Sequence, residues 1–156
     1  IKMEVISAVE SVNNSQKRVL FDKLNKAFDG NLEGKTIAVW GLSFKPETDD
    51  MREAPSVVVI KALLEAGATV RAFDPIAVEE AKKHYLGDTI YYAQNIYDAS
   101  QGADAIALVT EWKQFRLPNW KRIKEGMRGD VVVDGRNIYT QSEMTELGFR
   151  YYSIGK

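Results

Sequence analysis

The sequence predicts an α/β fold: a doubly wound, Rossmann-like, mainly parallel six-stranded sheet preceded by a long N-terminal helix. Three observations predict it. From Thr36 onward short apolar runs alternate with helical stretches, the pattern of parallel strands joined by crossover helices. The run Ala105–Val109 is continuously apolar, as a strand covered on both faces has to be. The stretch Gly41 to Ser56 follows an apolar strand and opens a helix, with Lys45 and Arg52 where an anion would sit. Backbone N–H groups and the positive end of the helix dipole face the same corner.

Each element follows from its own residues. Val5, Val9, Val12, Val19, Leu20, Leu24 and Phe28 recur at a spacing near 3.6, which predicts an amphipathic helix over Val5 to Phe28 ended by Gly30. A helix of about 28 residues runs roughly 40 Å, longer than a domain of this size needs for itself. The pattern is already under way at Ile1, so residues 1–30 read as half of a connecting helix in a larger protein, and 31–156 as the folded domain. Strand one is expected over Thr36–Leu42. Its helix spans Ala54–Ala66, with Pro55 suited to the first turn and Gly67 to the position past the end. Strand two is Thr69–Phe73, closed by Asp74-Pro75, and a helix covers Val78–His84. A weak third strand near Ile90–Tyr92 precedes a short helix from Tyr97 to Gly102. Strand four is Ala105–Val109, strand five Val131–Asp134, a helix spans Gln141–Leu147, and Tyr151–Ile154 forms strand six.

Composition narrows the function classes. At 156 residues, 45% hydrophobic and 28% charged, the chain is long enough to bury a real core in one domain. Twenty-one Lys and Arg against 22 Asp and Glu leave no global field for nucleic acid or an anionic membrane, so any anion site has to be local. No segment approaches the roughly 18 to 20 apolar residues of a membrane span, and the N-terminus lacks the order of a signal peptide. A cytoplasmic location is expected. There is no cysteine, which removes thiol nucleophiles and thiolate metal sites from this chain. The single histidine, His84, lies beside Lys82 and Lys83 and reads as solvated, so neither a His-based triad nor a metal site is expected.

Six strands in this alternation predict the order 3-2-1-4-5-6, in which the winding reverses between strands one and four. The crevice at their carboxyl ends gathers Phe44-Lys45, Thr110-Glu111-Trp112 and Gly135-Arg136-Asn137. Lys45 reads either as a ligand contact or as a rim partner of Glu47, Asp49 or Asp50. Arg52 offers a planar fork to a phosphate or an ordinary surface pair. Asp49 and Asp50 read more simply as helix caps that hold Lys45 or Arg52 than as a metal pair. Arg136 is a ligand contact or the partner of Asp134 in its turn, and Trp112 and Phe115 read as packing aromatics. The first turn holds only Gly41, so the fingerprint Gly-x-Gly-x-x-Gly is missing, and with it the usual case for a dinucleotide bound wholly on this domain.

Gly41–Ser56, Thr110-Glu111-Trp112 and Asp134-Gly135-Arg136-Asn137-Ile138-Tyr139 together resemble the C-terminal UDP-binding domain of the UDP-glucose 6-dehydrogenase family. Val5–Lys17, with Val12-Asn13-x-x-Gln16-Lys17, is similar to the second half of that family's long central helix, so the likeness extends over the whole chain. The turn Phe44-Lys45-Pro46 followed by Thr48–Arg52 is most like the UDP-glucose branch, ahead of other UDP- or GDP-sugar dehydrogenases. The resemblance implies a two-step oxidation of the 6-hydroxyl of UDP-glucose to a carboxylate, with NAD as oxidant and a cysteine-bound intermediate. It also implies that NAD is held mainly by an N-terminal Rossmann domain, and that the nucleophilic cysteine lies in a central region, both outside this sequence. Phe44 and Lys45 match the family's substrate-contacting pair, Arg136 a second UDP-sugar contact, and Arg52 the arginine that reaches NAD across the cleft. A chain of this kind is expected to be inactive alone and to form a homodimer through its N-terminal helix.

Overall fold

In a computed structural model, residues 18–154 are described. Six parallel strands form one sheet: β1 (Thr36–Trp40), β2 (Thr69–Phe73), β3 (Tyr91–Tyr92), β4 (Ala105–Leu108), β5 (Val131–Asp134) and β6 (Arg150–Ser153). Their order is β3-β2-β1-β4-β5-β6, the order that the sequence predicts. Ile37 of β1 lies opposite Val70 on one side and Ala105 on the other, which puts the apolar run of β4 at the centre of the sheet.

Two clusters of buried side chains cover the two faces. On the first face lie α1 (Val19–Ala27), α2 (Pro55–Glu65) and α3 (Val78–Ala81), contributing Leu20, Leu24, Val59, Ile60, Leu63 and Ala81. On the second lie α4 (Ile96–Ser100), α5 (Trp120–Gly126) and α6 (Gln141–Glu146). Aromatic rings fill this second layer: Trp40 stacks on Trp120 at 5.7 Å between centroids, and Trp120 meets Tyr139 and Phe149 edge-on. Trp112 and Phe115 are buried here, as packing aromatics are expected to be.

Several bounds differ from the expectation for physical reasons. β1 stops at Trp40 because Gly41 takes φ +95° and turns the chain. The helix expected over Val78–His84 keeps α geometry only to Ala81, then widens into a π turn over Lys82–Leu86. α1 stops at Ala27, where Asp29 and Gly30 both adopt positive φ. The part of the expected long helix at residues 1–17 lies outside the described residues. His84 is exposed. The sequence reading does not reach α5 or the single 3-10 turn Lys113–Phe115 before it. Only Trp120 and Ile123 of this seven-residue helix are buried, so its apolar periodicity is brief; its start is fixed by Asn119, whose side chain accepts from the Arg122 backbone N–H.

Candidate functional site

The carboxyl ends of β1, β4 and β5 meet in a crevice, and its walls are set by hydrogen bonds between turns. Gly41 lets the β1 turn press against the β4 loop: a Cβ at this position would lie 2.5 Å from Thr110 Cβ and 2.7 Å from Thr110 N. Thr110 Oγ1 donates to the Ser43 carbonyl at 2.6 Å, and Ser56 Oγ at the start of α2 donates to the Leu42 carbonyl at 2.6 Å. Ser43 Oγ donates to the Lys45 carbonyl at 2.8 Å. The Phe44 N–H donates to the Asp50 carbonyl at 2.8 Å and closes the 44–50 loop. Ser43, Ser56 and Thr110 are all fully buried, so these polar groups hold backbone in place rather than face solvent.

The third wall is the turn after β5. Asp134 is buried, and its two oxygens accept from the Arg136 N–H at 3.0 Å, the Tyr139 N–H at 2.9 Å and the Tyr151 hydroxyl at 2.7 Å. Gly135 passes so near β4 that a Cβ would come 2.6 Å from the Leu108 carbonyl oxygen. Arg136 is thereby delivered across the crevice. Its Nε donates to the Val109 carbonyl at 3.0 Å and its Nη2 to the Phe44 carbonyl at 3.1 Å, while Glu111 Oε2 lies 3.2 Å from Nε. A cavity of about 160 Å³ lies beside it, lined by Leu20, Pro55, Val109, Gly135, Arg136 and Ile154 among others.

The structure brings three of the four expected residues together. Arg136 touches Phe44 directly, and Lys45 is the next residue along. Phe44 is 44% exposed. Lys45 is exposed and has neither a hydrogen-bond nor an ion-pair partner for its ammonium among the described residues, so the alternative reading, a rim bridge to Glu47, Asp49 or Asp50, does not form. Arg52 stands apart, on a depression lined by Asp49, Asp50, Glu80 and Tyr85. It grips Asp50 with both ends of its fork, Nε to Oδ1 and Nη2 to Oδ2 at 3.0 Å each. The hydrogen bond from the Arg52 side chain is the first cause holding the Asp50 carboxyl down to about 2, with the nearby charge of Lys45 a smaller one.

Two readings of this region are corrected. Neither Asp49 nor Asp50 caps α2, whose N-cap is Ala54 with no side-chain bond, and Pro55 at the first position has no N–H to offer; Asp50 does hold Arg52, as the sequence leads one to expect. The Arg136 guanidinium pairs with Glu111 rather than Asp134, which holds Arg136 in its turn through the backbone N–H alone. The sequence reading does not reach Asp74, which is buried at the end of β2 and accepts from both the β1 turn and Trp112. An acid set directly after a strand and directly before a proline, Asp74-Pro75, is the signal that marks it.

Fold and crevice define a Rossmann-like α/β domain whose switch point is furnished with cations in place of a glycine-rich fingerprint. Residues 38–141 match the UDP-glucose/GDP-mannose dehydrogenase family, UDP binding domain, and the chain belongs to that family. It is 46% identical over 157 aligned residues to UDP-glucose 6-dehydrogenase of Pseudomonas aeruginosa, covering 98% of this chain and 35% of that protein. It is 45% identical to UDP-glucose 6-dehydrogenase YwqF of Bacillus subtilis, covering 98% of this chain and 34% of that one. A UDP-glucose dehydrogenase from the hyperthermophilic archaeon Pyrobaculum islandicum superposes with a TM-score of 0.78 at 33% identity, over 98% of this chain and 32% of that one. The chain spans about a third of the length of these curated relatives.

Proposed function

We propose that this chain is the nucleotide-sugar grip of an NAD-dependent UDP-glucose 6-dehydrogenase, the enzyme type that takes UDP-glucose to UDP-glucuronate. The observation that carries the reading is the Arg136 guanidinium, spanning the Phe44 and Val109 carbonyls, with Lys45 next in the chain, exposed and without a partner for its ammonium among the described residues. Lys45, the Phe44 backbone and Arg136 bind the diphosphate and sugar. Arg136 keeps Nη1 without a partner among the described residues and has that edge to offer.

A diphosphate carries about two negative charges, and shielding them from water without partners costs several kcal/mol; charge-assisted bonds offset this. Two cations at one edge, one of them held by backbone carbonyls, also settle where the rest of the substrate lies. Gripping the nucleotide far from the reacting carbon turns remote binding energy into orientation of C6. The chain has no cysteine, so the covalent step belongs to polypeptide outside this sequence.

NAD, when bound, supplies the hydride-accepting nicotinamide. The residues here do not fit a dinucleotide held within this sheet: the first turn has only Gly41, and Asp74, the acid closing β2, is spent on backbone. They fit one rim contact, Arg52, whose side chain is 84% exposed. NAD is therefore assigned mainly to the N-terminal domain of the whole enzyme, with Arg52 reaching it across the cleft. The whole protein works in the cytoplasm, and this chain pairs with a second copy through its N-terminal helix; sedimentation giving a monomer at every concentration overturns that pairing.

Isothermal titration tests the grip. UDP and UDP-glucose bind with a stoichiometry of one and GDP-mannose binds more weakly, and Lys45→Ala weakens UDP and UDP-glucose binding roughly ten- to a hundredfold. Equal binding of all nucleotides, or none, overturns the reading in favour of an assembly module; preference for GDP-mannose moves it to a related sugar-nucleotide dehydrogenase.

A further inference from the structure

We infer that Asp74 is the positioning residue of the grip: its buried carboxylate sets the β1 turn so that Lys45 and Arg136 face one ligand. This rests on the reading of the crevice as a UDP-sugar site and adds to it a residue that does not touch the ligand.

Asp74 directly follows β2 and is 2% exposed. Its Oδ2 accepts from the Leu42 N–H at 2.7 Å, the Ser43 N–H at 3.2 Å and the Trp112 indole N–H at 3.2 Å. Ser43 Oγ lies 3.4 Å from the same oxygen but points its shorter bond, 2.8 Å, at the Lys45 carbonyl. Oδ1 accepts from the Ile76 N–H at 2.9 Å and the Ala77 N–H at 2.8 Å. Every strong donor is an N–H, and none belongs to a cation. One side chain thus ties together the turn after β1, the turn after β2 and the loop after β4.

Those ties run directly to the binding residues. Leu42 and Ser43 are the last residues before Phe44 and Lys45. Ser43 is held on both sides, its N–H by Asp74 and its carbonyl by Thr110, and its hydroxyl fixes the Lys45 carbonyl. The Phe44 carbonyl presented by this turn is the acceptor for Arg136 Nη2. Displacing residues 42–43 therefore moves both cations. In a dinucleotide-binding sheet an acid in this region accepts from the ribose hydroxyls. Here the equivalent charge is turned inward, so the domain exchanges a ribose contact for a rigid first turn.

The carboxylate is needed on both oxygens, and this makes Asp74→Asn informative. An amide has one oxygen and one NH2. Whichever way it is placed, either the Leu42, Ser43 and Trp112 donors or the Ile76 and Ala77 donors face another donor. Trp112→Phe removes one donor and keeps a smaller aromatic ring in its place.

Two measurements on the 156-residue chain test the inference. Titration with UDP-glucose is expected to give Asp74→Asn a stoichiometry still near one but a Kd raised at least tenfold, and Trp112→Phe a rise of a few-fold. A residue that only supports folding gives the reverse: fewer competent molecules, each with wild-type Kd. Hydrogen exchange over residues 41–46 reads the turn with no ligand present and is expected to speed at least tenfold in Asp74→Asn, with α2 and β4 unchanged. Unchanged exchange in that turn, or an unchanged Kd in the folded variant, overturns the inference. Failure of the wild-type chain to bind UDP-glucose overturns the UDP-sugar reading instead, and leaves the exchange result to decide whether Asp74 sets the turn.

Discussion

At the residue scale, Lys45 and Arg52 are both exposed lysine or arginine on one loop, yet only Arg52 has a partner within the described residues. An ammonium without a partner has all of its donors to offer and gains a charge-assisted bond from a ligand. Lys45→Ala is therefore expected to weaken UDP-glucose binding roughly ten- to a hundredfold, the size of one lost bond to a charged group, as titration reads it. The Arg52 pair makes its own prediction in acid. Asp50 has a folded value near 2 against an ordinary 3.8, so its contribution is present above 3.8 and lost as pH falls through about 2. Carboxyl resonances followed by NMR should show Asp50 titrating near 2, and Arg52→Gln should return it toward 3.8. Tyr139 behaves oppositely in alkali: burial, and then the charge of Asp134, push its hydroxyl well above the ordinary 10. Stability from its burial is complete below pH 10 and declines above it, as the unfolded chain releases a proton that the folded chain keeps. Tyr139→Phe should flatten the fall in urea midpoint between pH 9 and 11. It should also lower stability by about 1–3 kcal/mol at neutral pH, because the buried Phe115 carbonyl loses its donor.

At the scale of elements, the turn after β1 depends on Gly41 for two independent reasons, its φ of +95° and its approach to Thr110. Either alone disfavours a side chain, and a clash against backbone nitrogen has no soft route of relief. Gly41→Ala should lower the melting temperature of the chain and abolish UDP-glucose binding together, seen by calorimetry and titration on one sample. The elements themselves were legible where period and punctuation agree. β2 and β5 have the expected bounds, and Pro55 opens α2. The continuous apolar run of β4 marks the centre of the sheet, and this places the switch point from sequence alone. α5 was not legible, since two buried anchors among four charged residues do not make a visible period. At the site, Phe44, Lys45 and Arg136 were legible as cations and backbone at strand ends. Asp74 was not, because its meaning lies in donors from Leu42 and Trp112, 32 and 38 residues away in sequence.

For the whole molecule, the sheet divides two kinds of packing that serve one edge. The first face is aliphatic, closed by α1 through Leu20 and Leu24, and Leu20 also reaches the cavity beside Arg136. The second face is aromatic and carries Trp112, whose indole N–H ends on Asp74. Both layers therefore bear on the same crevice, and an insult to either should be felt as weaker binding before the fold is lost. Leu24→Ala removes a fully buried side chain and should cost about 2–5 kcal/mol, read from denaturant unfolding. On the proposed reading this edge grips the substrate and supplies no thiol nucleophile, since the chain has no cysteine. Grip and chemistry then have to be separable. The chain alone should bind UDP-glucose and give no NADH from UDP-glucose and NAD at any concentration. In the whole enzyme Lys45→Ala should raise KM and, because remote binding energy orients the reacting carbon, lower kcat as well. NADH formation by the chain alone places the chemistry on this domain and sinks the division of labour; a Lys45→Ala enzyme with wild-type KM and kcat removes the grip from the crevice.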